Sequence, residues 1–174
     1  MSAFHSDERG QIVVWSLVLA ITFVLVLAVL CDVYSVQETR AWVYEVASDA
    51  ALSGAAGARD FGEYMATGQM RLDRSEARNM AEAVIDQEMS ERGIVAYTRQ
   101  VEVFLPGDTV PSPFPPVERA HLGYLGGVSQ WAPTRPSVGV YLALPVPVFF
   151  AGLTSLSSSV TVHAFSAAEV VILP

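Results

Sequence analysis

The 174-residue sequence contains no lysine, a single cysteine and only three histidines. The single cysteine, Cys31, excludes a disulfide within the chain and a cysteine-based metal site. The histidines, His5, His121 and His163, are far apart in sequence and lack the spacing of metal ligands. All ten basic residues are arginine, and 18 acidic residues bring the formal net charge to −8. This charge has the wrong sign for a nucleic-acid-binding protein.

Catalytic motifs are also missing. The segment Gly127-Val128-Ser129-Gln130-Trp131 lacks the second glycine of a nucleophile elbow. The sequence contains no phosphate-binding loop, no haem-attachment motif and no HExxH zinc motif. We therefore predict a protein that is not an enzyme and that uses no cofactor, metal or small-molecule substrate.

Charged residues are scarce in the C-terminal part of the chain. From Pro106 to Pro174 only five of 69 residues are charged, about 7 %, whereas roughly a quarter is usual in a soluble domain. The run from Val146 to Leu153 is the most apolar part and includes Phe149 and Phe150. A small domain cannot bury all of this surface, so we expect some of it to contact another subunit or the membrane surface.

One long apolar run, from Ile12 to Cys31, contains no charged residue in twenty positions. As a helix it would extend about 30 Å, which matches the hydrocarbon core of a bilayer. Its two hydroxyl side chains, Ser16 and Thr22, can donate to carbonyls one turn earlier. Trp15 near one end and Tyr34 beyond the other are typical of the membrane interface. The run predicts a transmembrane helix.

A cleaved secretory signal is the main alternative for this run. Such signals have apolar cores of about 7–15 residues followed by a small-x-small cleavage site, and Ala28-Val29-Leu30-Cys31 does not supply one. We therefore expect the helix to be retained. The tail at residues 1–11 is short, and the charges of Arg9 and Arg40 nearly balance across the run. The short tail favours a cytoplasmic N-terminus and an exported C-terminal part.

The helix is predicted to continue through residues 32–58 as a juxtamembrane amphipathic helix. This segment contains no proline and carries an apolar stripe at helical spacing, which predicts packing against a sheet or another helix. The stripe consists of Val36, Val43, Val46, Ala47, Ala50 and Ala51.

Residues 59–174 are predicted to form an extracytoplasmic α+β head. Two helical pieces between Asp60 and Arg92, separated near Gly68 and with Asp73 as the cap of the second, precede three segments with strand periodicity. The strand segments are Tyr97–Leu105, Val138–Val148 and Ser159–Val171. The connection at residues 106–136 holds seven of the ten prolines, and loops of this length are often functional. The sequence indicates no internal core that would receive its aromatic residues, Phe114, Tyr124 and Trp131, so we expect them to anchor a partner.

The N-terminal third resembles the TadE/TadG-like family, pseudopilin-like membrane proteins that assemble tight-adherence (Flp) pili in bacteria. The resemblance covers about residues 8 to 58. It rests on Arg9-Gly10-Gln11 before the apolar run, on Asp32 directly after it, and on Ser48-Asp49-Ala50-Ala51-Leu52-Ser53-Gly54-Ala55. Trp15 stands near the position of the glutamate that processed members carry, so we expect the Gly10–Gln11 bond to stay uncut, as in TadG-like members.

Two functional hypotheses follow. The resemblance implies a pilin-like head and a structural role in pilus or secretion-system assembly at the bacterial cytoplasmic membrane. The alternative is an accessory subunit that stabilises a large integral-membrane complex, either respiratory or photosynthetic. In both, the partners are the lipid bilayer and other membrane-protein subunits.

Overall fold

The computed structural model describes residues 4–68, 71–109, 114–116, 131–149 and 159–170. These residues form a long N-terminal helix followed by two shorter helices and small antiparallel sheets, which confirms the predicted α+β class. In chain order the elements are α1 (Phe4–Gly57), β1 (Arg59–Asp60), α2 (Phe61–Thr67), β2 (Arg71–Leu72), α3 (Arg74–Glu91), β3 (Thr98–Phe104), β4 (Ser137–Pro147) and β5 (Ser159–Glu169).

The chain divides into two compact units. The first unit comprises residues 1–37, which include the apolar part of α1, and residues 147–160, which connect β4 to β5. The second unit comprises residues 38–146 and 161–174 and contains the remaining helices and most of the sheet.

Helix α1 is longer than the predicted membrane span at both ends. It begins at Phe4, within the predicted polar tail, and ends at Gly57. Residues 4–57 contain no proline, and Gly10 is their only glycine before residue 54, so no residue in this stretch would interrupt a helix. The predicted continuation of the helix beyond Cys31 is therefore confirmed.

The second helical region is split as the sequence predicts. Helix α2 ends at Gly68, whose φ of 72° is a left-handed conformation that favours glycine. Helix α3 begins after Asp73, whose Oδ1 accepts hydrogen bonds from the backbone N–H groups of Ser75 and Glu76, each at 2.9 Å. This predicted N-cap satisfies two donors that the first turn of a helix leaves free.

The three predicted strands form one sheet in the order β3-β4-β5. Strands β3 and β4 are antiparallel, with Val101 opposite Val140 and Val103 opposite Val138. Their pairing ends where β3 begins, with Thr98 opposite Ala143, and β4 continues beyond it to Pro147.

The main core of the second unit lies between this sheet and the two long helices. The stripe of α1 from Val43 onwards, one face of α3 and the apolar face of β4 meet there, whereas Val36 of the predicted stripe lies in the first unit. Gly54 permits a close approach of the helices, since a Cβ at that position would lie 2.7 Å from the carbonyl oxygen of Ala77. The core includes Val43, Val46, Ala47, Ala50, Ala51, Ala77, Ala81, Ile85, Met89, Val101, Val103, Val138, Val140, Leu142 and Leu144.

Strand β4 is buried on both of its faces. Every residue from Ser137 to Leu144 is buried, as expected for the central strand of a sheet that is covered on each side. The helices cover the face that carries Val138 and Val140. Aromatic side chains cover the face that carries Gly139 and Tyr141. The aromatic cover was not predicted from the sequence.

Candidate membrane-spanning site and domain surfaces

The apolar part of α1 exposes its side chains on every face of the helix. The large apolar side chains from Ile12 to Leu30 are between 40 % and 72 % exposed. By length and composition, this is the one helix in the described part of the chain that could span a membrane. The exposed surface has no apolar partner within the first unit that would cover it on all sides.

The polar groups of this stretch are satisfied inside the helix, as predicted. The Ser16 hydroxyl donates to the carbonyl of Ile12, and the Thr22 hydroxyl donates to the carbonyl of Val18, both at 2.8 Å. Such bonds reduce the cost of placing a hydroxyl in hydrocarbon. Trp15 and Tyr34 are both exposed, and their position at a membrane interface stays a prediction.

The β4–β5 connection contacts α1 at the end of the apolar run. The backbone N–H of Phe149 donates to Asp32 Oδ1 at 2.9 Å, and the Phe149 side chain is 77 % exposed. Beside this contact is a mainly apolar open space of about 350 Å³. Its lining residues are Val29, Asp32, Val33, Val36, Gln37, Val148 and Val160. The sequence does not predict this contact, although Asp32 is the first charged residue after the apolar run.

The structure corrects the expectation that Phe114 and Trp131 have no internal core to receive them. Phe114 is fully buried and Trp131 is 8 % exposed, in a cluster with Tyr141, Ala143 and Phe165. Their burial follows from the scarcity of charge in this part of the chain, since the second face of the sheet is apolar as well. Neither side chain is available as an exposed anchor for a partner.

Edge-to-face contacts hold this aromatic cluster together. The ring of Phe114 lies 5.6 Å from that of Trp131 and 5.5 Å from that of Phe165, both in T-shaped geometry. Gly139 makes room for them, because a Cβ there would lie 3.0 Å from Phe114 and 3.1 Å from Trp131. Two further predicted contact residues, Tyr124 and Phe150, lie outside the described residues.

A tyrosine–histidine pair lies on the same face of the sheet. The Tyr141 hydroxyl and His163 Nδ1 are 2.8 Å apart, and their rings are stacked. Burial of the Tyr141 hydroxyl raises its pKa above the ordinary value of 10.0. The pair combines a stacked ring contact with a hydrogen bond between its polar ends.

Ion pairs link α3 to β3. Arg99 pairs with Asp86, and its guanidinium lies 3.6 Å from Glu82. The Tyr97 hydroxyl donates to Asp86 at 2.6 Å, and this hydrogen bond is the main reason that the pKa of Tyr97 is raised. These carboxylates therefore pair with neighbouring side chains, and partly exposed pairs of this kind contribute modestly to stability.

An open groove of about 1,000 Å³ lies beside the two-stranded β1–β2 ribbon. Both signs of charge line it, and its arginines are already paired: Arg71 with Glu63 at 2.9 Å and Arg74 with Asp108 at 2.5 Å. A hydrogen bond from the Leu105 N–H, together with the guanidinium of Arg74, lowers the pKa of Asp108. The third arginine of the groove, Arg78, lies 3.8 Å from Glu102, and the carboxylates of Asp60 and Asp73 accept backbone hydrogen bonds.

Chemistry-bearing clusters are absent from the described part of the chain. Within those ranges, no three His, Cys, Asp or Glu side chains come close enough to hold a metal ion. Every buried side-chain nitrogen or oxygen there has a hydrogen-bond partner. Comparisons with protein-family models, with curated proteins and with solved structures find no match.

Proposed function

We propose that this protein is a single-pass membrane protein with a structural role. The exposed apolar surface of α1 between Ile12 and Leu30 carries the proposal. Fully removing a large apolar side chain from water is worth about 1.5–3 kcal/mol, and fifteen such side chains are exposed here. Because these side chains are only partly exposed, the total is on the order of 10 kcal/mol, comparable to the roughly 5–15 kcal/mol that stabilises a whole domain. Lipid is the environment that covers a helix on all its faces.

Within this class, we assign the protein to the TadE/TadG-like pseudopilins, which act in pilus or secretion-system assembly. The segment Ser48–Ala55, on which the resemblance depends, supports this assignment because it has a structural use. Its residues Ala50, Ala51 and Ala55 are buried, and Gly54 closely approaches α3. Small residues in this segment therefore hold the second half of α1 against the rest of its unit.

The location follows from the same proposal. The protein resides in the bacterial cytoplasmic membrane, with the N-terminal tail inside and the C-terminal domain outside the cytoplasm. It acts through contacts with lipid and with other membrane-protein subunits rather than by catalysis. The paired charges of the second unit support a structural role, because they stabilise the domain instead of converging on a substrate.

A second candidate is an accessory subunit of a large integral-membrane complex, such as a respiratory or photosynthetic assembly. Exposed Phe149, in a connection that carries no charged residue, favours a contact beyond the chain itself.

Purification of the tagged full chain in mild detergent tests both candidates. Pilus or secretion components in the purified sample would support the pseudopilin role, whereas redox or pigment-binding subunits would support the accessory role. Alkaline carbonate extraction of membranes provides the prior test. Release of the chain into the soluble fraction would contradict the membrane proposal in both forms.

A further inference from the structure

Phe149, directly after β4, is held at a defined position along α1. Asp32 is the first charged residue after twenty uncharged positions, so in a spanning helix it lies at the boundary of the hydrocarbon. The hydrogen bond from the Phe149 N–H to Asp32 Oδ1, between residues 117 positions apart in sequence, places Phe149 at that boundary.

The connection has the chemistry of a segment that contacts lipid. None of the residues from Pro147 to Val160 is charged. Phe149 is 77 % exposed and Val160 is 42 % exposed, both in the same compact unit as the apolar part of α1. The Phe149 N–H is satisfied by the Asp32 carboxylate, so this donor would not be left without a partner where water becomes scarce.

We infer that Phe149, directly after β4, is a second membrane contact and inserts into the lipid interface beside the span. This inference depends on the proposed membrane span. It assigns the exposed aromatic side chain to lipid rather than to a protein partner, because the Asp32 contact makes it continuous with the apolar surface of α1. Apolar side chains at an interface of this kind enter the boundary between headgroups and acyl chains.

The single cysteine makes the test direct. In a Cys31→Ser background, the full chain has no other thiol, so Phe149→Cys can carry one nitroxide label in vesicles of phosphatidylcholine and phosphatidylglycerol. Collision of the label with molecular oxygen, which partitions into lipid, is compared with collision with a water-soluble nickel chelate. The native Cys31 serves as the reference for the end of the span. Leu52→Cys is the matched control, since Leu52 is an exposed apolar residue of α1 about 30 Å further along the helix.

We expect the label at position 149 to behave like the label at Cys31, with nickel collision several-fold lower than at position 52. Nickel collision at position 149 as high as at position 52, with Cys31 still lipid-exposed, would overturn this inference alone. Low collision with both reagents at position 149 would indicate a protein contact and would also overturn it. High nickel collision at Cys31 itself would contradict the membrane span.

Substitution of Asp32 separates the hydrogen bond from simple proximity. Asp32→Ala removes the acceptor, so we expect nickel collision at position 149 to rise. Asp32→Asn keeps an Oδ1 acceptor and should retain the lipid-like value. Equal nickel collision at position 149 in both variants would show that the Asp32 contact does not set the position of Phe149. The inference would then lose its basis. Near-ultraviolet circular dichroism checks that each labelled variant is folded.

Discussion

Both halves of α1 contain many apolar residues, but those of the first half are exposed and most of those of the second half are buried. From Ile12 to Leu30 the large apolar residues occur on every face and are exposed. From Trp42 to Ala55 most apolar residues form one stripe and are buried at 9 % exposure or less, whereas Leu52 and the polar residues occupy the remaining faces. The second half is covered by its own domain, whereas the first half requires a covering that its own unit does not provide. Amphipathicity, and not apolar content alone, distinguishes the two.

The largest effect is expected from charge at the centre of the first half. Each arginine near the middle of a membrane helix costs about 2.5–3.5 kcal/mol, whereas each large aliphatic residue contributes only about 0.3–0.6 kcal/mol on the same scale. Ile21→Arg combined with Leu25→Arg therefore offsets most of the insertion energy of the run. We expect the double variant to be lost from the carbonate-resistant membrane fraction, measured by immunoblot.

Leu52→Arg is the control for this prediction, since Leu52 is exposed in the second half of the same helix. It should leave carbonate resistance unchanged. Continued resistance of the double variant would show that the run is not held in hydrocarbon.

Truncation of the aromatic cluster is expected to have the next largest effect. Phe114→Ala or Trp131→Ala removes a buried ring from the second unit and should destabilise it by about 3–5 kcal/mol. Thermal unfolding of the full chain in mild detergent, followed by near-ultraviolet circular dichroism, measures the loss. Phe149→Ala is the control, because this exposed ring should contribute little to the same transition. Unchanged melting of the Phe114 and Trp131 variants would show that these rings are not part of the core.

Two glycines of α1 should respond to alanine with opposite signs. At Gly54 a methyl group meets the backbone oxygen of Ala77, which cannot rotate away, and such overpacking costs about 1–3 kcal/mol. The gain in helix propensity of about 1 kcal/mol offsets only part of this cost. At Gly10 nothing lies within 4 Å of the added Cβ, so Gly10→Ala should be neutral or slightly stabilising. Thermal melts of the two variants check the difference, and destabilisation by Gly10→Ala would contradict it.

The smallest effect concerns pH and is confined to the second unit. The pKa of Asp108 is lowered from 3.8, mainly by the Leu105 N–H and further by Arg74. A carboxyl group whose pKa is lowered in the folded state stabilises that state at pH values above the group's ordinary pKa. This contribution disappears as the pH falls through the folded-state pKa. The melting temperature of wild type should therefore exceed that of Asp108→Asn at neutral pH, and the gap should narrow below about pH 4.

At neutral pH, Arg74→Gln should lower the melting temperature less than Asp108→Asn does, because the Asp108 carboxylate still accepts from the Leu105 N–H. Neither variant should change membrane retention. If the melting-temperature difference between wild type and Asp108→Asn widened in acid, the direction assigned to the Asp108 pKa shift would be wrong.

Local patterns predicted the elements well because each depends on neighbouring residues. The uncharged run and the absence of proline predicted a helix that continues past Cys31, and α1 does so. Asp73 predicted the start of α3, and period-two alternation predicted β3 and the helix-facing side of β4. In each case the determining contacts lie within a few positions along the chain.

The tertiary structure decided which aromatic side chains of the two long connections are buried and which are exposed. Phe114 and Trp131 lie in a proline-rich connection, and nothing in their local sequence indicates that the second face of β4 receives them. The same holds for Phe149, whose backbone is positioned by Asp32 from 117 residues away. The sequence by itself determined which segments are helix and strand and which helix could enter a membrane. Which apolar residues find cover within the chain was decided by packing between distant segments, because burial depends on what lies opposite a side chain and not on its neighbours in sequence.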